Sequence, residues 1–400
     1  MQKKILYISQ MYPCPPDGGG KIKTLQTLHA LAREYEIYAV FVSETKPTEQ
    51  ELRELTKLGI TVKVFYSDKI LASVKDDLAG LLWHFIRGIP HYVFQYTHQP
   101  AFSHVLKLIE DFQPDIIHID HLNMAQYLPK EKRQVWILEH HNVETYLYWT
   151  RFLYSKKLAR KFYLVIEMIL TFFYEWKTLR QFDHVYAISH KEEERLRNTF
   201  CITNTSPQPL VYPIHLIRRK PPKKPYVLFV GNLGWPPNED AIEWFLQDIF
   251  PFVLREVPDA EFHVIGKRQP RYEESWPKLS NVFLHGYQKN IDPFLASAQV
   301  FVLPFRMGGG VRLKALTALA SGVPIISTPL GVEGLYVQDG RECFISSTPI
   351  PFANSIITLL RHQEVQKEMG KRALFYMKVF HKEKEQDRLL QTYQEIVHQH

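Results

Sequence analysis

The stretch RMGGGVRLKALTALASGVPIIST, residues 306–328, gathers residue types that can hold an anion. Gly308, Gly309 and Gly310 follow the apolar run VFVLP (300–304). They lead into RLKALTALAS, a helix-forming segment that Gly322 and Pro324 would stop. A glycine loop entering a helix exposes backbone N–H groups, and the helix dipole adds to their pull on negative charge. Arg312 and Lys314 contribute full cations, the arginine with a fork suited to phosphate oxygens. Leu313, Leu316 and Ala320 fall on one stripe expected in the core, while Lys314 and Thr317 share another side. Glycines alone need only turn a tight corner beside solvated cations. Three glycines with two cations at a strand end favour an anion site.

Such a loop must be carried by strands and helices. KILYIS (4–9), IYAVFV (37–42), TVKVF (61–65), DIIHID (115–120), VWILE (135–139) and HVYAIS (184–189) read as strands with helical segments between them. QMYPCPPDGGGK reads as a turn-rich loop before a helix over Thr24–Arg33. The basic, proline-rich IRRKPPKKP breaks the rhythm and reads as a linker, residues 216–225. The pattern then restarts: YVLFVG (226–231), a helix over Ala241–Val257, EFHVIG (261–266), NVFLHG (281–286), VFVLP and PIIST (324–328). Helices over Ile350–Arg361 and from Val365 onward close the chain. The alternation argues for doubly wound parallel sheets. Four hundred residues exceed one ordinary core, so two domains are expected, 1–215 and 226–375, with residues 376–400 a final helix packing back on the first. Ligands of such sheets bind beyond the carboxyl ends of the strands, here in a cleft between domains.

Composition narrows the class. Apolar residues at 45% and charged ones at 23% suit a globular chain, and no window reaches the ~20 apolar residues of a membrane span. MQKKILYIS runs straight into a strand and does not read as a signal peptide. Cys14, Cys201 and Cys343 show no CxxC spacing, which fits a reducing cytoplasm and neither zinc nor disulfides. A net charge of +7 suits anionic partners, and no nucleic-acid motif accompanies it.

From Val227 to Leu335 the chain resembles the retaining, nucleotide-sugar-dependent glycosyltransferases of family 4, which have the GT-B fold: two Rossmann-like domains facing a cleft. FVGNLGWPPNEDAIEWFLQDIFPFV and VFLHGYQKNIDPFLASAQVFVLPFRMGGGVRLKALTALASGVPIISTPLGVEGL carry the likeness to a bacterial sugar-transferase branch. YPCPPDGGGKIKTLQTLHAL, DIIHIDHL, LEHHNVE and DHVYAISHKEEERL extend it into the first half. The resemblance implies a donor diphosphate on Gly308–Gly310 with Arg312 and Lys314 as its cations, a base near Tyr287, and phosphates bordered by Gly231, Asn232 and Leu233. It also implies Gly18, Gly19 and Gly20 close to sugar and phosphate from the opposite wall, and His141 and Asn142 lining the cleft. Many members carry two glutamates with seven residues between them; here those positions are Gly309 and Thr317. Losing a charged hydrogen bond to the ribose costs ~1.5–3 kcal/mol.

Other residues admit two readings. No HxxxH or HxH constellation with a carboxylate marks His118, His121, His140 and His141, and the family needs no metal, so they are expected as scattered cleft or surface histidines. His141 is singled out as a sugar contact, against a histidine satisfied by backbone at a strand end. Glu333, after PIIST, binds sugar hydroxyls or is a surface glutamate. In RFLYSKKLARKFYLVIEMILTFFYEWKTLR (151–180), core packing is favoured for the second half, and attachment to a membrane surface is left open for Lys156–Lys161. Trp235-Pro236-Pro237-Asn238 reads as a loop and N-cap before a helix beginning near Asp240. The implied activity is transfer of a sugar from a nucleoside-diphosphate donor to a hydroxyl of a glycan or lipid-linked acceptor, with retention, no cofactor and no metal. The rivals are a non-catalytic partner in glycan assembly, motivated by Thr317, and a sugar-nucleotide epimerase.

Overall fold

The buried runs of the sequence become two parallel sheets, each in its own unit. The structure is a computed structural model that describes residues 2–16, 18–66, 85–155, 157–208, 217–220, 222–267, 276, 279–309, 311–378 and 382–398.

The first unit comprises Met1–Pro209 and Lys384–His400. Its strands are β1 (Lys4–Ser9), β2 (Glu36–Ser43), β3 (Thr61–Tyr66), β4 (Ile116–Asp120), β5 (Val135–His140), β6 (His184–Ala187) and β7 (Thr205–Pro207), in the order β3-β2-β1-β4-β5-β6-β7. Alternate residues face opposite sides, and both sides are covered. Leu6, Ile8, Val40 and Ile117 pack into one core. Ile5, Tyr7, Ala39 and Ile137 pack into another, completed by Leu389, Leu390, Tyr393 and Ile396 of the last helix, Lys382–His398. The register sets Ser9 beside Asp120 and Asp120 beside Glu139, so three polar residues stand side by side at the carboxyl ends of adjacent strands.

The second unit, Leu210–Glu383, holds β8 (Tyr226–Val230), β9 (Glu261–Ile265), β10 (Val282–Leu284), β11 (Val300–Leu303), β12 (Ile325–Ser327) and β13 (Cys343–Ile345), in the order β10-β9-β8-β11-β12-β13. One core unites this sheet with its helices. The described piece of the expected linker is docked rather than free: Arg219 donates to the carbonyls of Leu295 and Ala298, and the Lys220 N–H to that of Ala296 at 2.9 Å. Residues 216 and 221 lie outside the described residues.

Local structure departs from the sequence pattern in four places. The first helix spans Gly19–Leu31, so Gly19 and Gly20 are helical rather than part of a loop, with Gly18 as N-cap. Burial of Lys23, Thr24, Thr27 and Leu28 outweighs the ~1 kcal/mol that each glycine costs a helix. The helix expected at Ala241–Val257 starts at Pro236, with Trp235 rather than Asn238 as N-cap. It is interrupted by a π turn, Phe245–Ile249, because Pro251 has no N–H to continue the α ladder. The edge strands β7 and β13, three residues each, are too short to show alternation. Among the described residues, no helix is long and apolar enough to cross a membrane.

Candidate functional site

In the second unit the glycines make room for the cations themselves. A Cβ on Gly231, which follows β8, would lie 2.6 Å from Lys314 Nζ and 3.0 Å from the Asn238 side chain. Lys314 Nζ donates to Asn238 Oδ1 at 2.7 Å, and Asn238 Nδ2 donates to the Asn232 carbonyl at 2.6 Å. The ammonium also lies 5.1 Å from the Phe229 ring centroid and 4.9 Å from that of Phe305. Burial, and then the like charge of Arg312, holds its pKa well below the ordinary lysine value.

Arg312 is the N-cap of the Leu313–Ala320 helix and is 5% exposed. Its guanidinium lies 4.8 Å from the Phe305 ring centroid and 5.1 Å from that of Trp235. It folds back over Gly308, whose φ of +112° already favours glycine and where a Cβ would overlap Nη2. The expectation was of bare loop amides. Instead the open side of Gly308 is covered by the guanidinium, so an incoming anion would meet side-chain cations first. Arg306 fixes the loop to the Pro236–Trp244 helix through Asp240, at 2.6 and 3.1 Å. Thr328 Oγ1 fixes its other side by donating to the Phe305 carbonyl.

The remaining expected donor residues are placed as follows. Gly309 is buried, and Gly310 lies outside the described residues. Leu316 and Ala320 face the core, while Leu313 is only partly buried. Thr317 Oγ1 donates to the Leu313 carbonyl of its own helix at 3.0 Å. Tyr287 follows Gly286 (φ +69°) and is 54% exposed. Glu333 ends the short Pro329–Val332 turn and is half-buried.

The four histidines singled out in the first half are neither scattered nor on the surface. His118, His121, His140 and His141 are all buried, because β4 and β5 are neighbours and deliver their ends to one place. His141 Nε2 lies 2.6 Å and His121 Nδ1 2.9 Å from Asp120 Oδ1, and the two rings stack with centroids 3.6 Å apart. Ser9 Oγ and Thr24 Oγ1 donate to Asp120 Oδ2 at 2.8 and 2.6 Å. Ligand atoms of Asp120, His121 and His141 lie within 4.8 Å of one another, a set able to hold a metal ion, which sequence spacing did not reveal. Gly20 stands alongside, 3.8 Å from His121 Nε2 to a Cβ built on it, and a Cβ on Gly18 would meet nothing within 4 Å.

Behind this group, Glu139 accepts from Thr27 Oγ1 at 3.0 Å and lies 3.4 Å from His141 and 3.6 Å from His118. His118 Nδ1 pairs with the hydroxyl of Tyr393, so the final helix reaches the cluster through the core. Burial alone would raise the pKa of Asp120, but the two imidazoles pull it well below the usual carboxylate range. Burial lowers that of His121, yet Asp120 overrides it and the net shift is upward. His141 is shifted down, by burial and then by His121. The shifts of the pair run in opposite directions, favouring the proton on His121 and disfavouring a charge on His141. A neutral His141 donating Nε2–H to Asp120 presents Nδ1 as an acceptor.

Sequence reasoning missed Asp120, Glu139, Asn238, Asp240, Arg306 and Tyr393. An acid ending each of the apolar strands DIIHID and VWILE was the one available signal for the first two.

Two family models match the chain: "Glycosyltransferase Family 4" over residues 48–207 and "Glycosyl transferases group 1" over residues 224–362. A Klebsiella pneumoniae protein described as an "Uncharacterized 44.6 kDa protein in cps region" is 22% identical over 394 residues, 94% of this chain and 95% of that one. Among solved structures, the sucrose-phosphate synthase of Thermosynechococcus elongatus superposes with a TM-score of 0.70 at 17% identity, covering 100% of both chains. HepE of Anabaena, in complex with UDP and glucose, superposes with a TM-score of 0.65 at 13% identity, covering 98% of this chain and 99% of that one. At these identities the structural likeness speaks to the fold.

Proposed function

This chain belongs to the glycosyltransferases of family 4, with the GT-B fold of two Rossmann-like sheets, and from that premise we propose that it moves a sugar from a nucleoside-diphosphate donor to a hydroxyl of a growing polysaccharide or glycolipid, with retention. One observation carries the donor assignment. Arg312 and Lys314 are brought together among aromatic rings and the neutral Asn238, where a diphosphate would relieve both their burial and their mutual repulsion. As the glycosidic bond breaks, the leaving diphosphate gains charge, and a preorganised pair of cations stabilises that charge most where water is excluded. This scheme calls on side-chain cations alone and requires no metal or cofactor. His141, neutral on Asp120, is assigned to the sugar. Gly231, Asn232, Gly308, Gly309 and Gly310 border the phosphates, and Tyr287 the base. The HepE neighbour, held with UDP and glucose, makes UDP the first nucleotide to try. The cps region named for the Klebsiella relative fits a polysaccharide acceptor.

The test is a thermal-shift and calorimetric panel of UDP-, GDP-, ADP- and dTDP-sugars on the wild type and Arg312→Ala. One donor should raise the melting point of the wild type, and the variant should lose at least ~100-fold in affinity. A panel without a single binder would end the donor reading.

Thr317 supports a second reading, a shell that binds without turnover. It presents one neutral hydroxyl, already donating within its helix, where the family pattern implied by the resemblance has a glutamate. Turnover by the wild type, abolished in Arg312→Ala, excludes it; activity appearing only in Thr317→Glu establishes it. Product analysis without acceptor separates an epimerase.

A further inference from the structure

The helix pair Glu144–Tyr154 and Leu158–Leu179 is inside-out. On the longer helix, Leu158, Phe162, Ile169, Phe173 and Trp176 are exposed, from 46% to 83%. Their spacings of four, seven, four and three residues place them on one stripe. Trp149, Leu153 and Tyr154 are exposed on the shorter helix. Eight of the fourteen exposed large hydrophobic residues among the described residues therefore belong to this pair, a concentration that ordinary surfaces avoid. In the second half of the longer helix, expected in the core, Phe172, Tyr174 and Leu179 pack there, while Ile169, Phe173 and Trp176 face outward.

The reason lies on the inner face, which carries the acids. Glu167 and Glu175 are fully buried. Glu167 accepts from the His91 N–H at 3.0 Å, and Glu175 from the N–H groups of Glu144 and Thr145 at 2.7 and 2.9 Å. Each carboxylate caps the start of a neighbouring helix, which fixes the rotation of the long helix and drives its apolar stripe outward. Glu144, Glu167 and Glu175 are the acids of residues 144–180, and all three are engaged inward. The outer side is left with Lys157, Arg160, Lys161, Lys177 and Arg180 and no carboxylate from these helices.

We propose that this face docks on the surface of a lipid bilayer carrying anionic headgroups. Aromatic side chains would enter the interface and the surrounding cations would meet lipid phosphates. A second copy of the chain is the poorer occupant, because pairing two such faces brings cations against cations with no acid between them. The inference rests on the transferase reading for its purpose alone, since an acceptor carried on lipid is met at that surface.

The experiment co-sediments the full chain with sucrose-loaded vesicles of equal parts phosphatidylglycerol and phosphatidylcholine, and with phosphatidylcholine alone, without donor or acceptor. Two double variants accompany it: Phe162→Ser with Phe173→Ser, and Arg160→Glu with Lys177→Glu. All four side chains are exposed, so melting temperatures should stay within a few degrees of wild type. Wild type should bind the anionic vesicles, and each double variant should fall by ~10-fold or more. Equal binding to neutral vesicles, no binding, or variants that bind like wild type would overturn the proposal. So would a concentration-dependent dimer in the ultracentrifuge that the serine variant abolishes. Vesicle binding is read without nucleotide, so its failure is distinguishable from failure of the donor panel.

Discussion

Lys314 and Arg312 are unusual in what surrounds them. An amine bonded to Asn238 amid aromatic rings pays a desolvation cost that no anionic group among the described residues around it offsets. Its folded pKa lies below its unfolded one, so between the two the unfolded chain binds more protons, and stability rises with pH across that window. Lys314→Met should flatten this rise and raise the melting point of the ligand-free protein by ~2–4 °C for each kcal/mol recovered. The same variant should lose nucleotide affinity; calorimetry and pH-dependent melting check both. Glu144 works in the opposite direction. Burial, and then Glu175, pushes its carboxyl up to about 7. From its unfolded value to about 7 the native state binds more protons than the unfolded, so stability falls as pH rises, by about 3 kcal/mol in all. Glu144→Gln should remove that slope in urea titrations at stepped pH.

At the scale of elements, Glu175 decides how two helices meet. It caps the Glu144–Tyr154 helix from the side, in place of a cap residue of that helix's own. Glu175→Ala should strand two buried N–H groups at ~1–3 kcal/mol and fray that helix, visible as faster amide exchange over 144–148. The glycine loop before Arg312 shows the same logic. Its ends are strand and helix, but its shape is held by Arg306 on Asp240 and Thr328 on the Phe305 carbonyl. None of these pairs is close in sequence.

At the scale of the molecule, the final helix is covalently continuous with the second unit and structurally part of the first. Leu389, Leu390, Tyr393 and Ile396 are each at most 6% exposed there. At ~1.5–3 kcal/mol for each buried side chain, their removal exceeds the margin of many domains. A chain ending after Met377 should lose exchange protection throughout β1–β7 and keep it in β8–β13. The hydroxyl of Tyr393 adds a link to His118, so Tyr393→Phe should shift the pH profile of activity through Glu139 and His141 while costing little stability.

Eleven of the thirteen strands among the described residues, and the alternation that winds them, were legible in the sequence, because a buried parallel strand is a local run of apolar residues. The glycine–arginine–lysine element was legible too, since its residue types and their order are local facts. What tertiary structure alone decided is which distant groups meet. Register placed Asp120 beside Ser9 and Glu139 and gathered His121 and His141 around it. Two inward carboxylates fixed the rotation of a helix whose second half read as core, so that Phe172, Tyr174 and Leu179 pack inward while Ile169, Phe173 and Trp176 face out. Hydrophobic period reports that a helix has two faces; which face is buried depends on partners elsewhere in the chain, and here satisfying buried N–H groups outweighed burying aromatic rings.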